Sequence, residues 1–145
     1  MLRTLEKKDI NFLHEKLNSL STDDKKLYHP HPFTKEVLYD ILKKDYDYYF
    51  VLEKKGVIVG YSMLRTFNKF EIPTYGQVVW EEQRGKGYGS EILKETLKKA
   101  KEIGFKSVKL KVYSHNGTAY DLYVKHGFKE IGIENNEIWM EKKLF

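Results

Sequence analysis

Val79-Trp80-Glu81-Glu82-Gln83-Arg84-Gly85-Lys86-Gly87-Tyr88-Gly89-Ser90 is the stretch whose reading decides the fold. A β-branched run enters it, and alternating glycines lead out of it into Ile92, Leu93, Leu97, Ala100 and Ile103 at helical spacing. The first N–H groups of a helix have no intrahelical acceptor, and the helix dipole adds partial positive charge there. Glycine carries no Cβ to hold an anion away. Arg84 and Lys86 add full charges. Together these residues make a site for phosphate, pyrophosphate above all. The plainer alternative is a tight strand–helix junction with incidental basic residues. The P-loop pattern is absent, and the dinucleotide pattern fails because its third glycine would fall at Ser90.

Working outward towards the N-terminus, Tyr75–Trp80 reads as the strand feeding this turn. Tyr48–Leu52 and Val57–Phe67 read as a hairpin about Lys54-Lys55-Gly56. Ile10, Leu13, Leu17 and Leu20 predict a first helix after a short strand at Leu2–Leu5, and Ser21–Asp24 breaks it with polar turn-formers. His29-Pro30-His31-Pro32 cannot be helical, and Thr34 caps a second helix carrying Val37, Leu38, Ile41 and Leu42. Towards the C-terminus come a strand at Ser107–Tyr113, a short helix at Asn116–His126 ended by Gly127, and two strands about Asn135-Asn136. The order β-α-α-β-β-β-α-β-α-β-β predicts an α/β (α+β) fold: a mixed, mostly antiparallel sheet of six to seven strands, about four helices, and one central β-α-β unit.

Length and composition narrow the function. At 145 residues with no Gly/Ser linker and no repeat, one domain over residues 1–145 is expected. Lys and Arg exceed Asp and Glu by 26 to 21, which suits an anionic partner, yet the charges are mixed along the chain, as on an ordinary solvated surface. No nucleic-acid-binding motif accompanies them. The absence of cysteine rules out disulfides and thiolate metal sites. No apolar run is long enough to span a membrane, so a cytoplasmic setting with no membrane partner is expected. Two histidines, His29 and His31, are too few for a metal site, and no metal is expected.

A second motif lies downstream, Asn116-Gly117-Thr118-Ala119-Tyr120-Asp121-Leu122-Tyr123-Val124-Lys125-His126-Gly127-Phe128. Ala119, Leu122, Tyr123 and His126 share one helix face, so Ala119 and Leu122 can enter the core while Tyr123 reaches a cleft. A phenol there can donate a proton to a leaving group.

Arg84-x-x-Gly87-x-Gly89 resembles the [QR]-x-x-G-x-[GA] signature of the GNAT acetyltransferases, and Asn116–Phe128 resembles that family's N-x-x-A-x-x-L-Y-x-x-x-G-F. One departure is Glu81, where proline is common. The resemblance, spanning Val79–Phe128, implies an N-acetyltransferase that uses acetyl-CoA on an amine-bearing acceptor. It implies cofactor contacts from Gln77, Val78, Val79, Arg84, Gly85, Lys86, Gly87, Tyr88, Gly89, Ser90 and Asn116. The N–H of Val79 would face the thioester carbonyl, beside a β-bulge in that strand which opens the cleft. Tyr123 would be the general acid. His29, His31 and Tyr75 would border the acceptor, with Tyr28 and Phe33 as an apolar wall; the alternative for the two histidines is ordinary loop packing. Glu71, Tyr75, Glu81 and Glu82 are candidate bases, and none is assigned. A coenzyme A-binding protein without transferase activity is the alternative, and a homodimer is compatible with the sequence.

Overall fold

The structure, a computed structural model, describes residues 1–145. Its strands are β1 (Leu2–Thr4), β2 (Tyr48–Lys54), β3 (Val57–Arg65), β4 (Thr74–Val79), β5 (Ser107–Tyr113), β6 (Lys129–Glu134) and β7 (Glu137–Lys143). They form one sheet in the order β1-β2-β3-β4-β5-β7-β6, antiparallel throughout except between β4 and β5. The helices are α1 (Ile10–Asn18), α2 (Thr22–Leu27), α3 (Lys35–Ile41), α4 (Tyr88–Ile103) and α5 (Gly117–Lys125).

Side-chain alternation assigns each strand residue to a face. Phe50, Leu52, Tyr75 and Val79 pack with Ile92, Leu93, Leu97 and Ala100 of α4 and with Tyr123 of α5. Tyr49, Val51, Val78 and Trp80 pack on the opposite face with Ile10, Leu13 and Leu17 of α1 and Leu38 and Ile41 of α3. Helices thus cover both faces. The β2–β3 turn has Lys55 at φ 51° and Gly56 at φ 79°, the positive pair that a tight hairpin favours.

The fold class is as the sequence predicts, with three differences. The Ser21–Asp24 break is the start of an extra helix, α2, whose Ser21 side chain accepts from the Asp24 N–H at 3.0 Å. No α2 side chain is buried, so no apolar period marked it. The bulge expected in β4 is not there, since its register with β3 runs unbroken from Arg65–Thr74 to Gly60–Val79. An irregularity lies in the β2–β3 pairing instead, between Leu52 and Glu53. Opposite it, Val59 is left over between Ile58 and Gly60, and the in–out alternation of β3 resets there. Lastly, β3 ends at Arg65 rather than Phe67, where φ turns positive, to 56°.

Candidate functional site

β4 and β5 meet at a single register pair, Thr74–Lys109, where the Lys109 N–H donates to the Pro73 carbonyl at 3.1 Å. Beyond it the strands part, and a cleft of about 800 Å³ opens between them. Trp80 donates its N–H to the Val59 carbonyl at 3.2 Å, so that amide faces β3. Amides alternate along a strand, which turns those of Val79 and Gln77 towards the cleft. The cleft therefore has an unpaired backbone edge without needing a bulge in β4.

At one end of the cleft lies the glycine-rich turn. None of the N–H groups of Gly85, Lys86, Gly87, Tyr88, Gly89 and Ser90 donates to a backbone carbonyl. Gly85 and Gly87 have φ of 78° and 83°, and a Cβ built on either would meet only open space. An array of free amides at the start of a 16-residue helix is a ready anion cradle. Gly89 is tighter, since its Cβ would lie 3.3 Å from Nε2 of Gln77.

The cations of the turn are engaged elsewhere. Arg84 donates Nε to the Val79 carbonyl at 3.0 Å and grips Asp24 of α2 with both terminal nitrogens at 3.2 Å. Lys86 donates to the Gln83 side chain at 3.1 Å and does not line the cleft. Lys111 and Lys125 line it instead. The Ser90 hydroxyl bonds to the His126 ring at 2.8 Å, tying the first turn of α4 to the end of α5. Burial, helped by Lys125, Lys142 and Lys94, lowers the His126 pKa and keeps that ring neutral near pH 7.

The second motif forms the other wall. Asn116 caps α5, its side chain accepting from the Ala119 N–H at 3.4 Å. Tyr123, 8 % exposed, packs edge-on against Tyr75 and Phe128 at 6.4 and 5.7 Å between ring centres. Burial alone holds its phenol well above the ordinary tyrosine range, so the proton stays on at neutral pH. Tyr75 is raised likewise by burial and by Tyr123, and its hydroxyl donates to the Gln77 side chain.

The two histidines of the His29–Pro32 segment part company. His29 reaches β5, its Nε2 lying 2.8 Å from the Tyr113 hydroxyl at the mouth of the cleft. His31, expected beside the acceptor, turns into the core on the α1–α3 face and is 8 % exposed. Its Nδ1 donates to the Pro32 carbonyl at 2.8 Å, which leaves Nε2 to accept from the buried Tyr61 hydroxyl at 3.1 Å. Burial lowers its pKa, and the role the structure gives it is packing. Of the candidate bases, only Tyr75 lines the cleft; Glu82 pairs with Lys16 on the surface. Asp24, Leu27, Lys111 and Tyr113 line the cleft without having been picked out by sequence. No three His, Asp or Glu side chains lie close enough to hold a metal ion, and no helix is long and apolar enough to cross a membrane.

The model of a family described as "Acetyltransferase (GNAT) family" matches residues 14–128. An uncharacterized N-acetyltransferase of Bacillus subtilis, YycN, is 36 % identical over 66 residues, covering 46 % of this chain and 39 % of that protein. An N-alpha-acetyltransferase of Sulfurisphaera tokodaii is 36 % identical over 97 residues, covering 59 % of this chain and 58 % of that one. The chain thus spans about half the length of these curated relatives. A spermidine N-acetyltransferase of Vibrio cholerae, solved with CoA and spermine, superposes with a TM-score of 0.83 at 20 % identity, covering 99 % of this chain and 95 % of that one. At that identity the likeness is one of fold.

Proposed function

The chain belongs to the GNAT acetyltransferase family, and from that premise we propose that it transfers the acetyl group of acetyl-CoA to a primary amine. The observation that carries this reading is the parting of β4 from β5 beyond Thr74–Lys109. It sets free strand amides, a glycine-rich amide cradle and the Tyr123 phenol around one cleft. The single seven-stranded sheet supports taking residues 1–145 as one acetyltransferase domain.

The residues present fit the cofactor. Acetyl-CoA, when bound, supplies an acetyl group activated as a thioester, and a pyrophosphate by which it can be held. The free amides from Gly85 to Ser90 suit the pyrophosphate, with Lys125 adding charge along the same cleft. Asn116 uses its carbonyl oxygen as a cap, leaving its amide hydrogens for the coenzyme arm. The Val79 N–H is a fixed donor for an oxygen that gains negative charge, and a preorganised donor of this kind needs no rearrangement during reaction. Tyr123 would supply a proton from Oη to a departing thiolate, and burial, which raises its pKa, keeps that proton in place at neutral pH.

The test is Tyr123→Phe. Free-thiol release from acetyl-CoA should fall by roughly 10²–10⁴-fold in kcat, while calorimetry shows coenzyme affinity little changed. Wild-type turnover in that variant would reduce Tyr123 to a packing residue. Coenzyme binding without turnover in the wild type would favour a coenzyme A-binding protein.

A further inference from the structure

We propose that His126 is a positioning residue for the coenzyme: it acts on the anion cradle through the Ser90 hydroxyl, and its ring takes up a proton from solvent as the coenzyme binds. This rests on the acetyltransferase reading above, because it needs a pyrophosphate in the glycine-rich turn.

The geometry argues first. Ser90 lines the cleft, and its amide is one of the free donors of the cradle. Its hydroxyl lies 2.8 Å from Nε2 of His126. The backbone that carries the ring is held as well. The His126 N–H donates to the Leu122 and Tyr123 carbonyls at 3.1 Å, and the His126 carbonyl accepts from Lys142 at 2.6 Å.

Hydrogen counting comes next. A hydroxyl has one hydrogen to give. While the ring is neutral and Nε2 accepts, Ser90 spends that hydrogen on the ring and turns only lone pairs towards an anion. An imidazolium must donate from Nε2. The Ser90 oxygen then accepts, and its hydrogen is released to a phosphate oxygen. A neutral ring protonated at Nε2 would release it too, but only the imidazolium adds positive charge beside the phosphates.

Charge decides when the proton arrives. Burial first, then Lys125 of α5, Lys142 of β7 and Lys94 of α4, keep the ring neutral near pH 7. The carboxylates on the elements around it face other groups. Glu91 pairs with Lys54, Glu95 lies towards the same lysine, and Asp121 and Glu130 stand by Tyr120. Glu141 alternates with Lys142 along β7 and so points to the other face of the sheet. A bound pyrophosphate brings negative charge one hydrogen bond beyond Ser90 and offsets the three lysines. Both effects favour the charged ring, so its pKa is higher in the complex than in the protein alone. By linkage, the added affinity is absent well above the pKa of the complex, grows as pH falls through it, and is complete below that of the protein alone.

The experiment is calorimetry of acetyl-CoA and of 3′-dephospho-CoA, in paired buffers of low and high ionisation enthalpy. The second ligand has no phosphate that titrates between pH 6 and pH 8. With either, the wild type should take up a fraction of a proton at pH 7. The Kd for 3′-dephospho-CoA should tighten about fivefold from pH 8 to pH 6, and the His126 ring signals in NMR should titrate at higher pH in the complex. His126→Gln keeps a neutral donor beside Ser90; it should bind comparably at pH 8 and lose the uptake and the pH slope. Ser90→Ala keeps the amide of the cradle and removes the relay, so its uptake should fall while circular dichroism shows the fold intact. Wild-type uptake in either variant overturns the proposal and reduces the pair to a tie between α4 and α5. A wild type that binds acetyl-CoA without taking up a proton also overturns it, leaving acetyl transfer intact. No acetyl-CoA binding removes both readings.

Discussion

Arg84 joins three parts of the molecule: its Nε donates to the Val79 carbonyl at the end of β4, and its terminal nitrogens hold Asp24 on α2. A residue that sequence assigns to phosphate is thus committed to architecture. It closes the end of the strand whose amides face the cleft, and it anchors a helix that has no buried side chain of its own.

Asp24→Asn keeps the size of the side chain and removes the charge that Arg84 grips. The pair is partly exposed, so the loss of global stability should stay under about 1 kcal/mol. Locally the effect should be larger. Hydrogen exchange across Thr22–Leu27 should quicken well beyond that of α4, because α2 then keeps only the Lys25 bond to the Asn18 carbonyl among its side-chain hydrogen bonds to the rest of the chain. Equal protection of α2 in variant and wild type would show that the Arg84 contact is not what holds it.

Gly87→Ala and Gly87→Glu separate backbone strain from blockage of the anion cradle. With φ at 83°, any L side chain at 87 is strained by about 1 kcal/mol. The Cβ itself meets nothing, so Gly87→Ala should bind acetyl-CoA with little loss. Gly87→Glu and Gly89→Glu should abolish binding, because they add a negative charge where a pyrophosphate would sit. Calorimetry with circular dichroism checks both arms, and full affinity in the folded Glu variants would remove the cradle from the cofactor site.

Gly60→Ala tests the packing of α4 on the sheet. A Cβ there would lie 2.5 Å from Cδ1 of Ile92 and 2.8 Å from the Val78 carbonyl oxygen. Overpacking of this kind costs roughly 1–3 kcal/mol. Adding Ile92→Val removes the nearer clash but not the backbone one, so the double variant should recover only part of the loss in urea melts. Full recovery would mean that β4 yields freely at Val78.

Asp9 makes stability depend on acid. Burial alone would raise its pKa, but two hydrogen bonds from Arg3 at 2.8 and 2.9 Å, the Glu6 N–H and the Arg3 charge bring it below the usual carboxylate range. A depressed folded pKa contributes stability that is fully present above about pH 4, the unfolded value, and is lost as pH falls towards the folded one. Asp9→Asn should therefore be less stable than wild type at pH 7, by about 2 kcal/mol. That gap should narrow below pH 4, and a gap independent of pH would place the effect in packing.

The glycine-rich turn and the Asn116 cap were legible because each is a local device, complete within a few consecutive residues. α2 was not, since apolar spacing reveals a helix only when the helix buries something, and Asp24 meets Arg84 from far along the chain. His29 and His31 stand two apart beside two prolines, and sequence gives no sign of how such an irregular segment turns. One meets Tyr113 across the cleft and the other meets Tyr61 in the core. The irregularity near Gly60 was equally silent, because the glycine is required by Ile92, which follows much later in the sequence.

The lone register pair between β4 and β5 has a consequence for cohesion. The ribbon of β1 to β4 and the ribbon of β5 to β7 share one register pair and are otherwise joined by side chains, those of α4 and the Tyr75–Tyr123 contact among them. A molecule lodged in the gap bridges the ribbons where the ladder does not. At a hundredfold excess over its dissociation constant, such a ligand adds about 2.7 kcal/mol to the folded state. A ligand that fills the gap should therefore raise the thermal midpoint, by tying the two ribbons together along the line at which they part.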